Sequence, residues 1–135
     1  METLSQPPLF FMEESSPNRA TFNEALRVRT KQAALRIIYL FQQLPHSSEA
    51  TILGKQLLRS ATSVAANYRA ACRGRSAAEW YAKLCICVEE ADETLFWLEL
   101  LGDASIIPKP RLQNLEQEYR EIVSILAKAR KNAKS

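Results

Sequence analysis

Four groupings of side chains in this sequence of 135 residues have types and spacings that chemistry could use. Glu90-x-x-Glu93 and Glu118-x-x-Glu121 each put two carboxylates one helical turn apart, an arrangement that suits a hard cation holding a substrate phosphate. A Mg²⁺-dependent nucleotide pyrophosphohydrolase uses two such pairs. The customary Asp of the second pair is absent, however, and this reading ranks last. Cys72, Cys85 and Cys87 are odd in number, and Cys85 and Cys87 point roughly 200° apart on a helix, so they read as small buried thiols. His46 stands alone in a Pro-His-Ser-Ser turn, which leaves no His-based metal site and no cofactor to expect.

The fourth grouping is basic. Lys55, Arg59, Arg69 and Arg73 fall within about 80° of one another at 100° per residue, and Arg75 follows them. Between them on the same stripe lie the small Thr62 and Ala66. A phosphate backbone or another helix can approach such a ridge closely.

The net charge of +3 hides a strong asymmetry. Residues 50–78 hold five basic groups and no acid, residues 79–103 net −6, residues 104–135 net +4, and residues 1–49 balance. Glu89, Asp92, Glu93, Glu99 and Asp103 share one face of their helix. The two charged faces either pair with each other, within a chain or between chains, or the basic one meets nucleic acid.

The elements that position these groups are helices. Only three glycines leave little room for a β-rich fold, and none falls in a phosphate-cradling or dinucleotide-binding motif. Apolar residues recur at three and four: Ala34, Ile37, Ile38, Phe41 and Leu44; Leu57, Ala61, Val64, Ala65, Tyr68 and Cys72; Trp80, Leu84, Val88, Ala91, Leu95 and Leu98; Leu112, Leu115, Tyr119, Ile122 and Leu126. The pattern predicts helices over about 21–44, 48–73, 77–101 and 110–131. Pro45, a cap at Ser47 or Ser48, Gly74 as a C′ glycine, a capping box at Ser76–Glu79 and Gly102 punctuate them. Short turns make this an all-α, up-down-up-down four-helix bundle over residues 20–132, with a loose arm at 1–19 and a basic tail end at 133–135. In the arm, Leu9 to Met12 form a short apolar cluster able to dock on a neighbouring surface. No secretory signal or membrane-length apolar run is present, so a cytoplasmic location without membrane partners is expected.

Phe96, Trp97 and Leu100 lie off the inward stripe of the third helix, beside its acids, so a second side is expected to be covered by another copy. With Glu89, Asp92 and Glu93 they form the expected oligomer face. Asn67, polar among small neighbours, is expected to fix helix register through a buried hydrogen bond.

The run from Leu57 to Arg73, LLRSATSVAANYRAACR, followed by Glu79-Trp80, Ala82-Lys83-Leu84 and Glu89 to Leu101, resembles the bacterial four-helix-bundle proteins encoded by intervening sequences in 23S ribosomal RNA genes. The resemblance spans about residues 20–130. Many members read Ser-Ile-x-x-Asn-Ile-Ala-Glu-Gly; this chain matches at Ser63 and Asn67, departs at Tyr68, Arg69 and Ala71, and looks like the branch reading Ser-Val-x-Ala-Asn-Tyr-Arg-Ala. The likeness implies a homopentameric ring and no catalytic residues. It also implies a fold similar to the basic pentameric accessory proteins of diversity-generating retroelements, which bind a reverse transcriptase and nucleic acid.

The expectation is therefore a non-enzymatic, homo-oligomeric helical module binding RNA or a ribonucleoprotein through Lys55, Arg59, Arg69, Arg73 and Arg75, with no small-molecule substrate. The alternative is a protein–protein adaptor whose opposed charged faces serve only oligomerisation.

Overall fold

The computed structural model describes residues 17–133; the rest of the arm, with Leu9 to Met12, and the last two residues lie outside the described residues. Four antiparallel helices follow in order: α1 (Pro17–Gln42), α2 (Ser48–Cys72), α3 (Ala77–Asp103) and α4 (Lys109–Ala133). No strand occurs among the described residues.

The helix starts follow from local chemistry. Pro17 opens α1, where its fixed φ fits and its missing N–H is no loss. Residues 17–19, read from sequence as arm, are thus helical. Ser47 caps α2 by accepting the Ala50 N–H at 3.2 Å. Ser76 caps α3 by accepting the Glu79 N–H at 3.1 Å, and the Glu79 carboxylate answers by accepting the Arg75 N–H at 2.7 Å.

The helix ends differ from the sequence expectation. Gly74 is not a left-handed C′ residue, since no glycine has positive φ; Arg73 and Gly74 close α2 with tight-turn bonds to Ala70 and Ala71. Gly102 lies inside α3, buried, and the left-handed residue of the next turn is Ser105 at φ 60°. What Gly102 supplies is proximity: a Cβ there would stand 3.1 Å from Lys109 Cγ and 3.3 Å from Leu112 Cδ1.

The core runs down the bundle axis. Leu57, Val64, Tyr68, Leu84, Leu98, Leu112, Tyr119, Ile122 and Leu126 are all buried. Every inward residue expected on α4 is buried, but on the other helices the stripe is shifted by one position in places. Ala33, Ala71, Cys87 and Thr94 are buried, whereas Ile38, Cys72, Val88 and Leu95 are half-buried. Small side chains let helix axes come close, and larger apolar neighbours then wrap the seam. Across the α2–α3 seam the Thr94 hydroxyl stands 2.8 Å from Ser60 Oγ, with both groups buried.

The seams are unequal. α2 packs most extensively on α3, then α3 on α4 and α1 on α2, while α1 and α4 touch least. Arg29 of α1 bridges that last seam, its guanidinium on Glu118 at 2.7 and 2.9 Å and on Glu121 at 2.6 Å.

Candidate nucleic-acid interface

The five basic residues singled out on and after α2 are all exposed. They are not equivalent. Arg59 is held within the chain by α3: its Nη2 donates to Glu93 Oε2 at 2.6 Å, and its Nη1 stands 3.2 Å from Glu90 Oε1. Glu93 also accepts the Trp97 indole N–H at 3.0 Å. The Trp97 hydrogen bond, and then Arg59, hold the Glu93 carboxyl below its ordinary range. The bond to Glu93 in turn raises the Arg59 guanidinium. The basic ridge is therefore interrupted in its middle. Lys55, Arg69, Arg73 and the Arg75 side chain form no ion pair among the described residues.

Antiparallel topology then regroups the charge. The C-terminal ends of α2 and α4 and the N-terminal ends of α1 and α3 share one end of the bundle. Contacts across that end tie it together: the Tyr68 hydroxyl donates to Asn23 at 3.1 Å, and Arg19 stacks 4.7 Å over the Trp80 ring. Residues 17–27, 66–86 and 127–133 bring nine basic groups there against two acidic ones. Arg69, Arg73 and Arg75 come from α2 and its turn, Lys128, Arg130 and Lys131 from α4. Both acids are engaged, Glu24 with Arg27 and Glu79 with its capping bond. The opposite end, residues 35–57 and 98–117, balances four basic groups with four acidic ones. Sequence counting found the excess on α2 and on the final stretch, and the antiparallel order of the helices brings both to the same end.

The acidic face expected on α3 is divided as well. Glu89 and Asp92 are exposed, Phe96 is 49% exposed, and Trp97 and Leu100 are half-buried. Phe96 and Trp97 meet edge to face at 5.0 Å between centroids. Glu93, by contrast, is committed to Arg59 and Trp97.

The carboxylate pairs do not stand open. Glu118 and Glu121 clamp Arg29, and Gln117, then Arg29, hold Glu121 below its ordinary range. Among the described residues no three His, Cys, Asp or Glu side chains gather as metal ligands. Cys87 is buried and burial pushes its thiol up to about 12; Cys72 and Cys85 are half-buried. Asn67 does not bridge helices: its amide donates at 2.9 Å to the carbonyl and the hydroxyl of Ser63, one turn back in α2. The buried bond across a seam is instead Ser60–Thr94, which sequence reading missed because Ser60 sits in a run of small residues and Thr94 between acids and large apolar groups. No helix among the described residues is long and apolar enough to cross a membrane.

Residues 25–128 match the family described as 23S rRNA-intervening sequence protein. The fold is similar to the crystal structure of a protein of unknown function from the S23 ribosomal protein family of Bacteroides thetaiotaomicron, with a TM-score of 0.75 and 32% identity over 81% of this chain and 97% of that one. No curated protein matches the chain. With three-quarters of its length inside the match, and with the helix-two motif that first suggested it, the chain belongs to the 23S rRNA-intervening sequence protein family.

Proposed function

We propose that this protein is a non-enzymatic helical module of the bacterial cytoplasm that self-associates and binds RNA or a ribonucleoprotein, and that the basic end of the bundle makes the phosphate contacts. The observation that carries this reading is the gathering of nine basic groups against two engaged acids at one end. Cations grouped from several helices, as Arg69, Arg73 and Arg75 of α2 and its turn are with Lys128, Arg130 and Lys131 of α4, neutralise a phosphate backbone by releasing its counterions, independently of base sequence. The α2 ridge contributes through Arg69, Arg73 and Arg75, while Arg59 serves the α2–α3 seam. Self-association is supported by the exposed Phe96 beside Trp97 and Leu100, with Glu89 and Asp92 on the rim. Five copies is the number that the family resemblance supplies.

Gel shifts with a single-stranded and a structured RNA test the binding, run with light scattering on the same preparation. Retarded RNA at low salt that is released as salt rises is expected. Absence of a shift at low salt overturns it and leaves the adaptor reading, in which the charged faces serve assembly alone. The Arg59–Glu93 pair lies within one chain, so the middle of the ridge is held to neither reading. Charge reversal at Arg69 against reversal at Asp92 separates the two: monomers after either reversal assign those charges to assembly.

A further inference from the structure

α1 and α3 stand at opposite corners of the bundle, each packed on α2 and α4, so their outer sides face opposite ways. Both outer sides carry apolar groups in the open. Of the five large apolar side chains left exposed among the described residues, Val28 and Tyr39 lie on α1, and Ile86 and Phe96 on α3. With the half-buried Leu35, Val28 and Tyr39 form one stripe on the side of α1 away from the core. The charges beside these groups are opposite. From Ala25 to Gln42 α1 has no acid, and the exposed Lys31 and Arg36 make no ion pair among the described residues. From Leu84 to Asp103 α3 has no base, and the exposed Glu89 and Asp92 make no ion pair among the described residues either. We propose that the two surfaces fit each other between copies: the outer side of α1 in one copy seats the outer side of α3 in the next, Lys31 against Glu89, Arg36 against Asp92 and Tyr39 against Phe96. The inference rests on the self-association proposed above and names the two surfaces that make it.

The heights of these groups along the bundle agree. Both helices pack on α2, which sets their register: Gly54 lies beside Phe41 and Leu44 of α1, and Ser60 meets Thr94 of α3. Nearer the other end, Tyr68 reaches Asn23 of α1, and the Val64 carbonyl lies beside Cys87 of α3. These contacts put Lys31 level with Glu89, Arg36 with Asp92 and Tyr39 with Phe96, each to within about one helical turn. Such a contact covers the exposed apolar groups on both helices, and the matched charges steer the copies together and disfavour other registers. It uses a different surface on each copy, so it repeats head to tail and closes into a ring where the rotation allows. Because α1 and α3 run in the same direction, joined bundles stay parallel. Arg69, Arg73 and Arg75 are then left uncovered, and the basic ends of all copies come to one rim.

The test is light scattering on the purified full chain and on three variants, with circular dichroism to show that each is folded. Lys31→Glu/Arg36→Glu and Glu89→Lys/Asp92→Lys should each lower the mass of the assembly towards that of the single chain, 15.3 kDa. All four changes together set opposite charges face to face again and should restore the original mass. If the original chain is itself a single copy, the self-association reading fails and this inference with it. If the original assembles but a folded double variant keeps its mass, or the four changes do not restore it, the inference alone is overturned. Crosslinking decides independently, even where a reversal unfolds the chain. Tyr39→Cys chains oxidised with an equal amount of Phe96→Cys chains should give a linked dimer that neither variant gives by itself. No link in the mixture, or a link in one variant alone beyond that of the original chain, overturns the inference and leaves self-association standing.

Discussion

Arg59 Nη2 and Glu93 Oε2 stand 2.6 Å apart across the α2–α3 seam, so the central cation of the basic ridge is answered within its own chain. The pair is partly exposed, and exposed pairs contribute little because solvent screens them and two long side chains lose freedom. A double-mutant cycle with Arg59→Ala and Glu93→Gln should give a coupling of about 0.2–1 kcal/mol in chemical denaturation. A coupling indistinguishable from zero would mean that the pair adds no net stability to the seam.

Acid should weaken the fold through two carboxylates. Glu93 and Glu121 both have folded pKa values below the ordinary 4.5, through Trp97 and Gln117 respectively and then through their arginines. As pH falls, the unfolded chain takes up those protons first. The stabilisation is therefore complete above about pH 4.5 and fades as pH drops through the lowered folded values. Denaturation midpoints measured between pH 6 and 3 should fall, and less steeply in Glu93→Gln than in the original chain. Equal slopes would remove Glu93 from the account.

Two glycines should respond in opposite directions to the same change. Alanine improves a helix interior by about 0.8–1 kcal/mol over glycine. At Gly54 the new Cβ would meet Leu44 Cδ1 at 2.5 Å and Phe41 Cδ1 at 3.0 Å, and Leu44 is buried. Overpacking of about 1–3 kcal/mol then outweighs the gain, and Gly54→Ala lowers the melting temperature. At Gly102 the nearest atoms are 3.1 Å away on the exposed Lys109, which swings aside, and 3.3 Å away at Leu112 Cδ1, the tip of a side chain that need give by only a few tenths of an ångström, so Gly102→Ala raises it. Calorimetry on both variants decides; a shared sign would contradict the packing described at one of the two sites.

The four helices were legible because their apolar spacing, Pro45 and the Ser76–Glu79 box all act locally. Phase was legible on α4, where large residues define the stripe up to Ala129, and one position off in places on α1 to α3. There the seams close on Ala33, Ala71, Cys87 and Thr94, and a reading weighted toward large apolar residues picks the neighbours that wrap them. Gly74 and Gly102 looked like helix stops because glycine often is one. The structure uses Gly102 for close approach and puts the left-handed turn at Ser105, a residue with no such sequence signal. Charge was legible by segment but not in space. Nothing local to Arg59 reveals that Glu93 neutralises it, or that Arg73 and Lys131 come to the same end from helices far apart in sequence.

That regrouping is the centre of the account, and salt dependence tests it most directly. Fluorescence anisotropy of a labelled single-stranded RNA, titrated at several salt concentrations, would compare the original chain with Arg69→Gln/Arg73→Gln/Lys131→Gln and with Arg59→Gln. For single strands each phosphate contact contributes about 0.7 to the slope of log K against log salt. The account predicts binding whose slope falls by about 2 in the triple variant, with Arg59→Gln close to the original. No binding at low salt, or a loss in Arg59→Gln equal to that of the triple variant, would contradict it.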